Sequence, residues 1–382
     1  MHNAHQYFNG PRRASPKLPT IFDGGETQFS ADSFKVALLV PMCGAAGIWG
    51  PSCIANAQLA AAELNADRGI FDRPIELMII DSAIEADTPV EALIELLIST
   101  GAIDAIVGMH ISAVHQRIAR IVRSRIPYIY TPVYEGGETT PGVFAIGDTP
   151  DFQLGPAMER LTAMYRHKKW ALIGNDYVWP RVSNQFAKQK IATLGGEVVC
   201  ERYIPFGSNS MEAEVERVAA TGAEAVLMTL VGQEAVDFNR AFGHAALDRR
   251  MIRLSCVFEE NCLLACGEDA LRRMYSAASY FGAMKTDGNA AFKERYYAMH
   301  GDRAPTLNSI GQSSYEGLQF LAGLLDANAE DWASAKDFLR SSTRYTNARR
   351  IDSKDPHRSP DVDITVYLAR AEGVRFEIVE KF

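Results

Sequence analysis

The residues best suited to chemistry in this sequence are hydroxyl and aromatic side chains that come directly after hydrophobic runs. Ser112 follows one run at the start of a helical pattern, where its hydroxyl and the free N–H groups of the first turn can hold a small polar group. His110 stands two residues earlier, and Tyr130 and Thr131 end the next run. These side chains predict binding of a small polar solute, with a plain helix cap as the alternative at Ser112 and a structural histidine at His110.

Aromatic residues follow other hydrophobic runs as well. Tyr177 and Trp179 lie in segment 174–181 (GNDYVWPR), and Trp49 lies in the glycine-rich segment 42–52. Thr229 ends a further run. Aromatic rings give a pocket rigid walls, and their hydroxyl and N–H tips orient a polar ligand. The pattern therefore predicts an aromatic-walled pocket, while an ordinary strand-to-helix connection is the alternative for segment 42–52.

No catalytic, metal or cofactor site is predicted. Ser112 and His115 are three residues apart, but hydrolysis needs a nucleophile with an oriented base, and no G-x-S-x-G motif is present. His115 is instead predicted to be a surface residue of its helix. Cys262 and Cys266 are four residues apart without a Cys-x2-Cys or a paired histidine nearby, so no metal site is expected. Dinucleotide and phosphate-loop glycine motifs are absent.

Composition and charge narrow the class of protein. The 382 residues are 47% hydrophobic and 23% charged, which is typical of soluble globular domains. A net charge of −8 without a basic cluster argues against direct nucleic-acid binding. No apolar run is long enough to enter a membrane. Residues 1–32 lack the apolar stretch of a secretory signal, which predicts a cytoplasmic protein, or a periplasmic one if this N-terminus is not that of the native precursor.

Strand-like and helix-like patterns alternate in two series of similar length. Repeated β-α-β units predict an α/β fold with two doubly wound parallel-sheet lobes and a ligand cleft between them. We expect a polar N-terminal arm (1–32), a first lobe (33–149 plus 284–345) and a second lobe (150–283 plus 346–382). Hinges are expected near 147–153 and 282–287, and a closing hairpin at the C-terminus. The cleft should collect the residues that follow each strand.

These segments resemble the type I periplasmic-binding-protein family over residues 34–382. The resemblance is to the branch that binds branched-chain amino acids, urea and short amides, and within it to the amide-sensor subgroup. The segments that carry it are 134–136 (YEG), 174–184 (GNDYVWPRVSN), Pro205, 229–232 (TLVG) and 280–281 (YF).

The resemblance implies a site that binds a ligand without catalysis. In the subgroup the ligand is held by a serine at the start of the third helix, a tyrosine that ends the fourth strand, a tyrosine in a D-Y-x-[YF]-P-R segment and a threonine of the second lobe. The matching positions here are Ser112, Tyr130, Tyr177 and Thr229. The sequence departs from the subgroup at His110, where the subgroup has an aromatic residue, and at Trp179, where it has tyrosine or phenylalanine. The pocket threonine is displaced by one residue, to Thr131, or replaced, and the first loop, with Cys43 and Trp49, is unlike that of the subgroup.

The resulting expectation is a protein that closes on a short, neutral amide or urea-like ligand and signals it to a transcription regulator. The alternative is the substrate-binding subunit of an ABC importer for urea, amides or branched-chain amino acids, with an ABC permease as partner. An amide hydrolase is a third alternative. Self-association is also expected if the protein is a sensor, since its output must be a contact that changes on closure.

Overall fold

Strands and helices alternate along most of the chain, as the hydrophobic pattern predicts. The computed structural model describes residues 32–84, 89–208, 211–327, 331–334 and 365–382. Within these ranges the strands are β1 (Phe34–Val40), β2 (Ile75–Asp81), β3 (Ala105–Gly108), β4 (Tyr128–Tyr130), β5 (Val143–Ala145), β6 (Lys169–Asn175), β7 (Glu197–Ile204), β8 (Ala225–Thr229), β9 (Ile252–Ser255), β10 (Met274–Ala278), β11 (Tyr367–Glu372) and β12 (Arg375–Lys381). The helices are α1 (Gly50–Asp67), α2 (Val90–Ser99), α3 (Ser112–Val122), α4 (Pro150–Tyr165), α5 (Val178–Thr193), α6 (Met211–Ala220), α7 (Gly232–His244), α8 (Glu260–Cys266), α9 (Asp287–His300) and α10 (Ser309–Ala327).

The strands form one sheet in each lobe. In the described part of the chain, the first sheet has the order β2-β1-β3-β4-β5 and is parallel throughout. The second has the order β12-β11-β10-β9-β8-β6-β7, and β11 pairs antiparallel with β10 and β12 while the other pairs are parallel. The predicted α/β fold with two parallel-sheet lobes is confirmed, and so is the C-terminal hairpin.

Helices cover both faces of the central strands, which explains their continuous apolar runs. All but one residue of β1 are buried, and β8 and β10 are buried throughout. On the first lobe, α10 packs along α1, where Gly311 permits a close approach. A Cβ at that position would lie 2.9 Å from the Ser52 side chain.

The chain crosses between the lobes at residues 146–149, which join β5 to α4, and at residues 279–286, which join β10 to α9. It returns to the second sheet between 334 and 367, and residues 335–364 of that connection lie outside the described ranges. The predicted hinge at 147–153 is too long, because α4 already begins at Pro150. The domain limits themselves stay predictions, and nearly all of the arm 1–32 lies outside the described residues.

Three of these strands and helices, β5, α4 and α8, have no counterpart among the predicted ones. β5 has three residues, fewer than a periodicity can reveal. α4 carries Pro156 in its interior, next to Gly155, and both residues argue locally against a helix. Among the helices that the structure describes, none combines the length and apolar character that crossing a membrane requires.

Candidate functional site

A cavity lies between the two lobes, where the carboxyl ends of their strands face each other. It holds about 30 Å³ of space open to the centre of a water molecule. The first lobe contributes Ala46, Trp49, Met109, His110, Ile111, Ser112, Tyr130, Pro132, Val133 and Ile310, and the second contributes Tyr177, Trp179, Val231 and Val257. None of these side chains carries a formal charge at neutral pH. His110 is neutral because burial and, to a smaller extent, the nearby His115 lower its pKa to about 3.

Six of the predicted ligand-binding residues line this cavity. They are Trp49, His110, Ser112, Tyr130, Tyr177 and Trp179. Trp49 and Trp179 are both buried in the cavity wall. Contact between these six residues and a solute stays a prediction, whereas the fold itself brings the six together around the cavity.

Thr131 and Thr229 lie elsewhere. Thr131 lines an adjoining cavity of about 20 Å³ near the hinge, and its hydroxyl accepts a hydrogen bond from Ser313 at 3.1 Å. Thr229 does not line the main cavity, since its hydroxyl donates toward the Ile173 carbonyl and the Asn184 side chain. It is the last residue of β8 and packs under α5, while Val231, two residues later, reaches the cavity.

Hydroxyl groups of the first lobe form the polar corner of the cavity. The Tyr130 hydroxyl donates to the His110 carbonyl at 2.8 Å and lies 3.4 Å from the Ser112 hydroxyl. Burial raises the pKa of Tyr130 and of Tyr177 well above the usual range, so both phenols are neutral hydrogen-bonding groups. This corner can donate to, or accept from, a small polar solute.

Four helices begin at the cavity wall. The residues preceding α1, α3, α5 and α7 are Trp49, Ile111, Tyr177 and Val231, and all four line the cavity. None of these residues caps its helix through a side chain. The positive ends of the helix dipoles and, at α3, α5 and α7, the first-turn N–H groups therefore point to this region, which favours an oxygen acceptor. At α1 the first turn continues from a preceding 3-10 turn and contains Pro51, which has no N–H.

His115 is buried, so its predicted surface position is wrong. Its Nε2 lies 2.7 Å from the Glu138 carboxylate and its Nδ1 lies 3.0 Å from the Tyr128 hydroxyl. Both ring nitrogens are thus engaged away from Ser112, whose hydroxyl lies against Tyr130. The structure does not join Ser112 and His115 into a nucleophile and base. Sequence reasoning overlooked Glu138, and the i, i+3 spacing of Ser112 and His115 was the one signal that placed this histidine on the cavity side of α3.

Contacts between the lobes hold the cleft closed. The Trp49 indole N–H of the first lobe donates to Glu259 of the second at 2.9 Å, and the Asn261 amide donates to the Ile48 carbonyl at 3.2 Å. Glu259 also caps α8 through two backbone N–H groups. Burial raises the pKa of Glu259 to about 6, even though these hydrogen bonds lower it.

Among the residues that the structure describes, no acidic side chain lines the main cavity. Asp148 lines the adjoining one and accepts hydrogen bonds from Ser279 at 2.5 Å and from Gln153 at 2.9 Å. Within the described ranges, no group of three or more His, Cys, Asp or Glu side chains is arranged to hold a metal ion. The cavity therefore offers hydroxyls, aromatic faces and backbone N–H groups.

Comparisons with known proteins identify a family model and solved structures that are similar to this chain. A family model described as periplasmic binding protein matches residues 33–373. An ABC-transporter solute-binding protein of Rhodopseudomonas palustris HaA2, in complex with p-hydroxybenzoic acid, superposes with a TM-score of 0.78 at 18% identity, over 92% of this chain and 97% of that one. Its counterpart from R. palustris BisB5, in complex with 3,4-dihydroxybenzoic acid, gives 0.74 at 21% identity, over 92% and 97%. A branched-chain amino acid transporter substrate-binding protein of Streptococcus pneumoniae, in complex with isoleucine, gives 0.74 at 15% identity, over 91% and 98%.

Proposed function

This chain belongs to the periplasmic binding protein family, and we propose that it is the solute-binding subunit of an ABC importer. The observation that carries the proposal is the closed, charge-free cavity between the lobes, lined by both of them. A solute held there contacts both lobes, so it stabilises the closed form that a permease can distinguish from the open one. The relatives named above favour this importer role over the transcription-sensor role that the resemblance to the amide-sensor subgroup implies.

The solute is a small molecule with a planar, oxygen-bearing head group, either a short amide or urea or a carboxylate. The cavity of about 30 Å³ has room for about two water molecules, which suits a head group and a short apolar body. The Ser112 and Tyr130 hydroxyls, together with the first-turn N–H groups of α3, can hold the oxygen. Tyr177 and Trp179 supply the opposite, aromatic wall.

A zwitterionic amino acid fits this cavity poorly. Its ammonium group would need a carboxylate partner in a desolvated site, and none of the described residues that line the main cavity is acidic. The Asp148 carboxylate in the adjoining cavity is already hydrogen-bonded by Ser279 and Gln153. Isoleucine is therefore the informative negative probe.

Calorimetry on the purified chain tests the solute class. The probes are acetamide, urea, acetate, benzamide, benzoate and isoleucine. A four-atom solute gains at most about 6 kcal/mol at the ceiling of about 1.5 kcal/mol per heavy atom, which corresponds to a Kd of tens of micromolar. Stabilisation by isoleucine alone would contradict the proposal. Ammonia release from the amides would support the hydrolase alternative.

A gene deletion separates the importer from the sensor. The importer role requires the protein outside the cytoplasmic membrane and predicts that deletion abolishes uptake of the labelled solute. The sensor role predicts unchanged uptake, an altered transcript level and a cytosolic location. Fractionation of cells that express the native gene gives the location, and size-exclusion chromatography with and without solute detects a regulator or self-association.

A further inference from the structure

A line of hydrogen-bonded side chains runs behind the cavity wall. It consists of Glu138, His115, Tyr128 and His110, and we refer to it as the His115 chain. The Glu138 carboxylate lies 2.7 Å from His115 Nε2, the Tyr128 hydroxyl lies 3.0 Å from His115 Nδ1, and the same hydroxyl lies 3.0 Å from His110 Nε2. His110 Nδ1 lies 3.3 Å from the Ile111 carbonyl. His110 lines the cavity, whereas the other three members do not.

The bonds of the His115 chain determine where its protons are. The Ile111 carbonyl can only accept, so His110 carries its proton on Nδ1, and its Nε2 accepts from the Tyr128 hydroxyl. The Tyr128 oxygen must then accept from His115 Nδ1. The Glu138 carboxylate accepts from His115 Nε2. Both nitrogens of His115 are therefore protonated, and the ring is an imidazolium paired with Glu138.

The other three members of the His115 chain keep their charge state near neutral pH. Burial raises the pKa of Tyr128 and lowers that of His110 to about 3. The pKa of Glu138 is about 2 because the hydrogen bonds from His115 and Thr140 outweigh the opposing effect of burial. Histidine is the side chain that ordinarily changes charge between about pH 5 and 8.

The elements packed around the His115 chain carry further charged and titratable groups. They are Tyr130 of β4, Tyr134 and Glu135 of the following loop, Arg117 of α3 with its partner Glu91 of α2, and Arg181 next to Asp176 at the start of α5. Glu135 is hydrogen-bonded to Gln116, and the two arginines are paired with carboxylates. None of them takes part in the bonds of the His115 chain.

The imidazolium lies one ring behind the solute cavity. The His115 ring stacks on Tyr130 with their centroids 4.0 Å apart and their planes 15° apart, and Tyr130 lines the cavity. The side chain of His115 is 3% exposed and that of Glu138 is 13% exposed, so the pair is poorly screened by water. A proton on His115 balances the Glu138 carboxylate, and loss of that proton leaves one uncompensated negative charge behind Tyr130.

We propose that His115 is a specificity-determining residue that selects the charge of the solute without touching it. Its imidazolium makes the cavity favour a carboxylate head group over the matching amide, and its deprotonation removes that preference. The inference rests on the proposed function, since it takes the cavity as the solute site. Removing one charge at this depth is expected to change the ratio of carboxylate to amide affinity by roughly tenfold.

Nuclear magnetic resonance of ¹⁵N-labelled histidine tests the proton assignment in the solute-free protein. At about pH 6 we expect both His115 nitrogens to be protonated, and His110 to carry a single proton on Nδ1. A neutral His115 at that pH would overturn the inference whether or not any solute binds. This arm therefore remains decisive if the proposed function fails.

Calorimetry with matched solutes tests the selectivity. The pairs are acetate with acetamide and benzoate with benzamide, because both acids stay ionised above about pH 6. In the wild type the affinity ratio of acid to amide should fall across the pH range in which the magnetic resonance experiment detects loss of the second His115 proton. An unchanged ratio across that range would refute the role of His115.

Two variants provide the matched comparison. Glu138→Gln retains an acceptor for His115 Nε2 but removes the counter-charge, so the midpoint of the ratio should move to lower pH. Glu135→Gln removes a carboxylate from the same loop that is hydrogen-bonded to Gln116 and not to the ring. Its midpoint should shift less than that of Glu138→Gln. Equal shifts in the two variants would mean that the selectivity responds to surface charge in general, and the assignment of this role to His115 would be wrong.

Discussion

Closure of the cleft should depend on the absence of a side chain at Gly232. This residue begins α7 in the second lobe and has a φ of +47°. A Cβ there would lie 2.1 Å from the Ala45 carbonyl oxygen of the first lobe, whereas ordinary contact begins at 3.4 Å. In Gly232→Ala the two backbones must therefore part by about 1.3 Å, the difference of those distances, or the closed form is lost.

The size of the effect follows from the packing. Overpacking of this kind costs roughly 1–3 kcal/mol. The left-handed backbone adds about 1–2 kcal/mol for alanine, but that strain is present in the open form as well and does not affect closure. If solute binds only the closed form, Kd should rise roughly 5- to 150-fold, since about 1.4 kcal/mol corresponds to tenfold.

Gly222→Ala is the matched control. Gly222 also has a positive φ, +71°, but nothing lies within 4 Å of its Cβ position. Both variants should lose thermal stability, and only Gly232→Ala should lose affinity in calorimetry and show a larger radius of gyration by small-angle scattering in the presence of solute. If Gly232→Ala binds solute as tightly as Gly222→Ala does, the closed-cleft reasoning is wrong.

Three further predictions concern the same cleft. Trp49→Phe removes the indole N–H that donates to Glu259. Because a hydrogen bond to a charged group contributes about 1.5–3 kcal/mol, calorimetry should show solute affinity at least roughly tenfold weaker. Wild-type affinity in this variant would mean that the contact does not stabilise the closed form. Tyr177→Phe should weaken binding by about 0.5–1.5 kcal/mol, the contribution of a neutral hydrogen bond, and the cavity is not the solute site if both this variant and Ser112→Ala bind normally. Burial, reinforced by the neighbouring Glu259, raises the pKa of Glu260 from 4.5 to about 8, so its contribution to the free energy of unfolding is present below about pH 4.5 and lost as the pH rises through about 8. In urea denaturation Glu260→Gln should flatten that decline, and an equally steep decline in the variant would assign it to other groups.

The sequence alone determines the fold class and most of the cavity. Apolar runs of strand length alternate with helical patterns, and such a chain can bury its apolar surface only in parallel sheets covered by helices. The carboxyl ends of parallel strands meet at one edge of a sheet. The convergence of Ser112, Tyr130 and Tyr177 on the cleft can therefore be predicted without knowing any long-range contact. Local signals failed where they were short or contradictory, as in β5 with three residues and α4 with an internal proline.

Tertiary structure alone decides the direction and the partners of individual polar side chains. Thr229 ends a strand as predicted, yet its hydroxyl packs toward Asn184 under α5 and Val231 takes the place at the cavity. His115 is polar on an amphipathic helix, and its burial requires hydrogen-bond partners from other segments, namely Tyr128 and Glu138, which is 23 residues away.

The hydrogen bond that links the two lobes joins residues still farther apart in the sequence. Trp49 and Glu259 are 210 residues apart, and no local pattern links them. Burying a charged or polar group is unfavourable unless it gains a hydrogen-bond partner. Here the partner comes from a distant segment, which reaches the group only once the sheets have formed and the lobes have closed. The sequence therefore places polar residues at the cleft, whereas the closed fold decides which of them face a solute and which face each other.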